Sequence, residues 1–213
     1  MSAVPSQFDS SRRRGSPARF GPDNVLRGLK ASKTGEVISL NLPLDDPNPP
    51  FGRGPFRRHV RLHNQVRPLD GTRMVLINDD EISIALQGSS QWDSLAHFGV
   101  IQPGTSGVYF DGVPLSETYP QNYAPNLGID AFGPGFVARG VLADVVGWAG
   151  EGREFLEGDY RIDRNKLERC LADQGSVVEP GDILLIYTGF QKRRALLGGV
   201  YPPDTAGLDA STV

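Results

Sequence analysis

Residues 139–187 run RGVLADVVGWAGEGREFLEGDYRIDRNKLERCLADQGSVVEPGDILLIY, and their reading decides the fold class. Gly140 to Trp148 predicts a buried strand that ends in an acidic loop. Asp163 opens a helix that carries Lys166, Leu167, Cys170 and Leu171, and Gly175 ends it. Pro180-Gly181-Asp182 is a turn that launches the apolar strand Ile183–Tyr187. Strand, helix and strand in that order predict a mixed α/β fold.

Toward the N-terminus the pattern is looser. Met1 to Asp23, with Arg12-Arg13-Arg14, is polar and reads as a flexible arm, leaving 24–213 as the domain. Asn24 is placed to cap a short helix through Leu29. Val37 to Leu42 predicts a strand closed by Pro43, and Pro47 to Phe56 a structured loop. Further strands are expected at His59–Leu62, Met74–Ile77 and Glu81–Leu86. Gly99 to Gly135 reads as turns bearing Tyr109, Phe110, Tyr119 and Tyr123. After Leu197 the chain runs GGVYPPDTAGLDASTV, with no evident closing strand or helix. The domain is therefore expected to be incomplete at its C-terminus, with Ile183–Tyr187 short of neighbours.

Composition narrows the function. The 213 residues include 26 Gly and 17 Pro, a loop-rich chain below the roughly 25% at which low complexity begins. Lys+Arg 22 against Asp+Glu 25 leaves a net charge of −3, too balanced for a dedicated nucleic-acid binder. No apolar run reaches the roughly 18–20 residues of a membrane helix, and the first residues lack a secretory apolar core. One cysteine, Cys170, cannot build a disulfide framework or a cysteine-based zinc knuckle. A cytoplasmic protein is the expectation.

The chemistry-bearing stretch is Gln87-Gly-Ser-Ser90-Gln91-Trp92-Asp93-Ser-Leu-Ala-His97-Phe98-Gly99. An extended segment would point Gln87, Gln91, Asp93 and His97 to one face. A helical one would bring Asp93 and His97 together at four-residue spacing. Either places a carboxylate and an imidazole within reach of one ion or one water. The plain alternative is a capping Asp93 and a hydrogen-bonded core His97 beside a packed Trp92. His59 and His63 also sit four apart, but HVRLH alternates as a strand with a solvated face. Cys170 falls on the inner side of its helix, away from a catalytic role. There is no G-x-S-x-G nucleophile elbow.

That stretch resembles the signature H-x-G-T-H-x-D-x-P-x-H of the cyclase-family metal-dependent hydrolases, which include bacterial-type kynurenine formamidases and isatin hydrolases. The signature's first two histidines fall on Gln87 and Gln91, its Asp on Asp93 and its last His on His97. Ser90 to His97 also matches a T-Q-W-D-x-x-x-H form of the family. Arg139-Gly-Val-Leu-Ala-Asp144 and Pro180-Gly-Asp182-Ile-Leu-Leu-Ile-Tyr-Thr188-Gly resemble two further family blocks.

The resemblance implies a swivelling β/β/α domain, incomplete at the C-terminus, that hydrolyses a small amide or lactam. An aryl formamide such as N-formylkynurenine, from tryptophan catabolism, and an isatin-like ring are the expected substrates. It implies a divalent ion, manganese or zinc, with Asp93, Gln91 and Gln87 as ligands and His97 as proton shuttle. Trp92, Phe98 and Ser90 become substrate contacts. A glutamine oxygen is neutral and hard, which suits Mn²⁺ better than Zn²⁺. The same changes leave open a member without metal that binds a ligand and does no chemistry. A small-molecule substrate and a homo-oligomer are the expected partners, with no nucleic acid and no membrane.

Overall fold

Two caps set the helix-strand order of the chain's best-packed part. Asp144 ends strand β3 (Gly140–Asp144), and its carboxylate accepts the Gly147 N–H at 2.8 Å. That bond starts α2 (Val145–Ala149) directly after the strand, so the expected strand to Trp148 stops four residues early. Asp163 caps α3 (Arg164–Asp173) in the expected way, accepting the Lys166 N–H at 2.8 Å. Gly175 follows the helix at φ +68°, a left-handed conformation that costs glycine nothing.

The computed structural model describes residues 20–101, 103–117, 127–132, 135, 137–209 and 212. Most of the expected N-terminal arm, together with Tyr119 and Tyr123, lies outside the described residues. The chain divides into two compact units. The first comprises 1–37, 92–193 and 202–213; the second comprises 38–91 and 194–201. The observed class is mixed α/β, as the central stretch predicts.

In the first unit, α1 (Pro22–Ala31) starts two residues before the expected cap. Gly21 takes the cap position, and Asn24 reaches back to accept its N–H at 2.9 Å. β3 runs parallel to β5 (Ile183–Tyr187), with Val141 opposite Leu184 and Ala143 opposite Ile186. Those four face α2, α3 and β4 (Arg161–Ile162), forming a core with Val145, Ile162 and Cys170. Cys170 is fully buried, and burial chiefly pushes its thiol above the ordinary value. A thiol reagent is therefore expected to leave native Cys170 untouched over minutes and label it only on denaturation. Rapid labelling of the native chain would refute this packing.

The other face of the β3–β5 sheet carries Leu142, which is 53% exposed. Among the described residues β5 has β3 as its only strand partner. β6 (Gly207–Leu208) pairs in parallel with β4, so the C-terminal stretch does hold a short strand, contrary to expectation. Helix α4 (Phe190–Leu196), which the sequence pattern does not announce, carries the chain into the second unit. It follows Gly189, where a Cβ would come within 2.1 Å of the Glu154 carbonyl oxygen. Only glycine fits there.

The second unit holds an antiparallel ribbon of β1 (Arg57–Pro68) and β2 (Met74–Ser83). Three expected short strands are thus two long ones. Asp70 sets the turn between them, accepting the Thr72 and Arg73 N–H groups. The Arg73 guanidinium beside it holds its carboxyl down at about 2. Arg194 pairs with Asp46 at 2.6 Å and stacks over Tyr201, both arms of the pair being nearly buried. That contact fixes the proline-rich loop.

The expected strand Val37–Leu42 does not form. Its residues join no strand, and Val37 is 94% exposed. β-branched composition supplies the backbone preference, whereas a strand also needs a neighbour to take its N–H and C=O groups.

Candidate functional site

Asp93 and His97 are positioned by a short turn rather than by a strand or a helix. The His97 N–H donates to the Ser94 carbonyl at 2.9 Å, and the Leu95 N–H to the Leu127 carbonyl at 3.1 Å. Between them Ala96, 2% exposed, packs with Leu127 and Val113 in a small core of its own, flanked by Leu95 and Tyr109. Ala96 anchors the turn inward, with the Asp93 side chain 41% and the His97 side chain 19% exposed. His97 Nε2 consequently stands 3.9 Å from Asp93 Oδ1. That is an ion-pair distance, too long for a hydrogen bond.

The segment that follows makes a pocket wall. Val100 bridges Val108 in antiparallel fashion, which folds 99–109 back on itself. Gly99 is required at the fold, because a Cβ would meet the Val108 carbonyl oxygen at 2.9 Å and the Tyr109 ring at 3.0 Å. Two adjoining cavities result, of about 370 Å³ and about 180 Å³. Both are lined by His97, Phe98, Val100 and Tyr109, and Asp93 borders the larger. A volume of about 300 Å³ or more suits a small organic molecule. The Phe98 ring stands edge-on to His97, with centroids 4.5 Å apart and planes at 80°.

Gln87, Ser90 and Gln91 belong to the second unit, whereas Trp92, Asp93, His97 and Phe98 belong to the first. Gln87 is half-buried in a single 3-10 turn, Leu86–Gly88, and Gln91 is exposed. Ser90 Oγ accepts the Leu42 N–H at 2.9 Å, and the Ser89 hydroxyl donates to the Pro43 carbonyl at 2.8 Å. Both serines thereby pin the preceding chain. Trp92 is 61% and Phe98 80% exposed, so neither is a packed core residue. Tyr109 and Val108 line the pocket without having been singled out as site residues. The available signal was Gly99 and Gly107 bracketing an apolar hairpin.

His59 and His63 lie exposed on β1, in keeping with a solvated strand. Among the described residues no three His, Cys, Asp or Glu side chains gather where they could hold a metal ion. A resident catalytic ion takes at least about three protein donors. Asp93 and His97 supply two, so these residues by themselves do not fit the ion that the resemblance implies. Also among the described residues, no helix is long and apolar enough to cross a membrane.

The model of the family described as "Putative cyclase" matches residues 38–212. A solved crystal structure of a novel cyclase is similar to the chain at 29% identity and a TM-score of 0.76. The match covers 95% of this chain and 69% of that one. No curated protein matches the chain.

Proposed function

The chain belongs to the cyclase family, and from that premise we propose that it hydrolyses a small amide or lactam, such as an aryl formamide or an isatin-like ring. The family's name does not require that a ring be closed. One observation carries the reading: a carboxylate and an imidazole stand together at the lip of an apolar, aromatic-lined pocket. Family membership supports an enzyme, and the pocket supports a small-molecule substrate. A swivelling β/β/α domain, a cytoplasmic location and self-association go with the same reading.

The chemistry assigned to this chain's own residues is acid–base. His97 accepts a proton from water as its oxygen attacks the carbonyl carbon, and Asp93, facing Nε2, steadies the imidazolium that forms. The C–N bond then breaks, and His97 returns the proton to the departing amine. Phe98 and Tyr109 hold the aryl part of the substrate. A divalent ion would polarise the carbonyl where other donors complete its shell. No step here depends on it.

A second reading has its own observation. With glutamine at positions 87 and 91, and with no three His, Cys, Asp or Glu side chains gathered among the described residues, the chain suits a member that binds the ligand without hydrolysing it. The two readings part in one experiment. The purified chain is incubated with an aryl formamide and with isatin, with and without added Mn²⁺ or Zn²⁺, while bound metal is measured by elemental mass spectrometry. Turnover that falls at least tenfold in Asp93→Ala is the expected result. Unchanged turnover in that variant sinks the hydrolase reading. Saturable binding of the aryl formamide or isatin, measured by calorimetry, with no product under any condition would establish the binding one.

A further inference from the structure

The pocket beside His97 has two ends of different chemistry. Asp93 borders only the larger cavity, whereas Ile101, Gly107 and Leu115 border only the smaller. Phe98, Val100, Val108 and Tyr109 line both and join them. A carboxylate marks one end, and aliphatic side chains mark the other.

Local pairing builds the aliphatic end. Val108 bridges Val100 on one side and Pro114 on the other, and the Leu115 N–H donates to the Gly107 carbonyl at 3.3 Å. Gly107 holds φ +85°, and a Cβ there would press on Ile101 Cγ1 at 3.0 Å. Glycine at 107 therefore keeps this end open. At about 180 Å³ the smaller cavity is below the roughly 300 Å³ of a whole-ligand site, so it takes part of a molecule. Phe98, Val100, Ile101 and Leu115 remain 47–80% exposed, apolar surface that a seated ligand would remove from water.

Charge narrows the ligand further. Among the described residues neither cavity is lined by lysine or arginine. From Met74 to Ala138 the sequence has neither, while Asp93, Asp111, Glu117 and Asp130 all fall within 92–138. The His97 imidazole faces Asp93 at 3.9 Å, so any charge it carries is already met. A ligand carboxylate would lose its water here and find no cation in return. N-Formylkynurenine, an amino acid, carries such a carboxylate.

We propose that the cavity bounded by Ile101, Gly107 and Leu115 is a specificity subsite for an uncharged apolar substituent. The chain then takes neutral, alkyl-bearing aryl amides and rejects those that carry a carboxylate. The subsite is a property of the pocket; its assignment to an amide substrate rests on the hydrolase reading.

Four compounds test it: formanilide, 4-ethylformanilide, 4-formamidobenzoate and N-formylkynurenine. Each is followed for turnover and, by calorimetry, for binding to the purified chain, with and without Mn²⁺. The ethyl compound is expected to exceed formanilide about tenfold in kcat/KM and in affinity, the lower end of what a pocket gains per methylene. The two carboxylates are expected to fall at least about 30-fold below formanilide, as unpaired charges. Leu115→Lys, at a half-exposed position, should bring 4-formamidobenzoate above 4-ethylformanilide with melting unchanged. Turnover with no preference among the four would overturn the subsite and keep the hydrolase reading. No turnover with the binding preference intact would sink hydrolysis and keep the subsite. Binding of none of the four, or an unchanged order in Leu115→Lys, would overturn the subsite.

Discussion

Replacing Asp182 with alanine is expected to destabilise the first unit by about 2–3 kcal/mol, below the roughly 3–5 kcal/mol of a fully buried pair. The carboxylate has no exposed side-chain surface and sits between two arginines, Arg139 from the entry to β3 and Arg27 from α1. It also accepts the Glu179 N–H at 2.8 Å, closing the turn before β5. One group therefore joins a helix, a strand and a turn. Its removal leaves two guanidinium groups sharing the Glu179 carboxylate, 3.4 Å from each, while their remaining exposure, 33% and 28%, lets water relieve part of the cost.

The same site gives a pH signature. The hydrogen bond from Arg139 is the main force holding the Asp182 carboxyl below its ordinary 3.8, against the opposing effect of burial. A depressed carboxyl contributes stability that is fully present above its unfolded value and lost as pH falls through the folded one. The wild-type melting temperature should thus drop steeply below about pH 4. In Asp182→Asn the starting stability is lower and the fall in that window shallower. Equal slopes in the two proteins would show that Asp182 is not the linked group.

The second large effect is on chemistry. His97→Gln is expected to lower kcat/KM on the responsive substrate by about 10²- to 10⁴-fold, the range of a lost general base. The amide approximates the ring's polar edge but cannot cycle a proton at neutral pH. Phe98→Ala should instead raise KM with a smaller change in kcat, because Phe98 lines the pocket and its ring has no proton to give or take. A merely structural His97 would lower kcat/KM through lost protein stability while preserving the shape of its pH profile. Loss of the acidic limb from that profile, with melting unchanged, separates the two roles. An active His97→Gln enzyme with a normal profile would remove His97 from the mechanism.

Some of this was readable in the chain as written. Asp163, whose carboxylate takes the N–H three residues on, and Gly175 beyond the last turn define α3 from both ends. Pro180-Gly181 ahead of five apolar residues defines β5. Each signal acts within a few residues, so no distant partner is needed to fulfil it. The motif around Asp93 and His97 was legible for a related reason: the two side chains are four residues apart, and any bend brings them near.

The tertiary structure decided the rest. Val37 to Leu42 has a strand's composition and no strand's partner, whereas β2 continues through polar Asn78 to Glu81 because β1 is there to pair with it. Asp144 looked like one more residue of a buried strand until its carboxylate took the Gly147 N–H and started a helix. Asp182 looked like part of a turn, but its charge is held by Arg27, more than 150 positions away in the chain. The pocket beside His97 depends on Ala96 and Leu127 packing together across the first unit. Caps and turns are satisfied by neighbours in sequence; strand partners, buried charges and cavity walls are satisfied only by residues that folding brings from far along the chain.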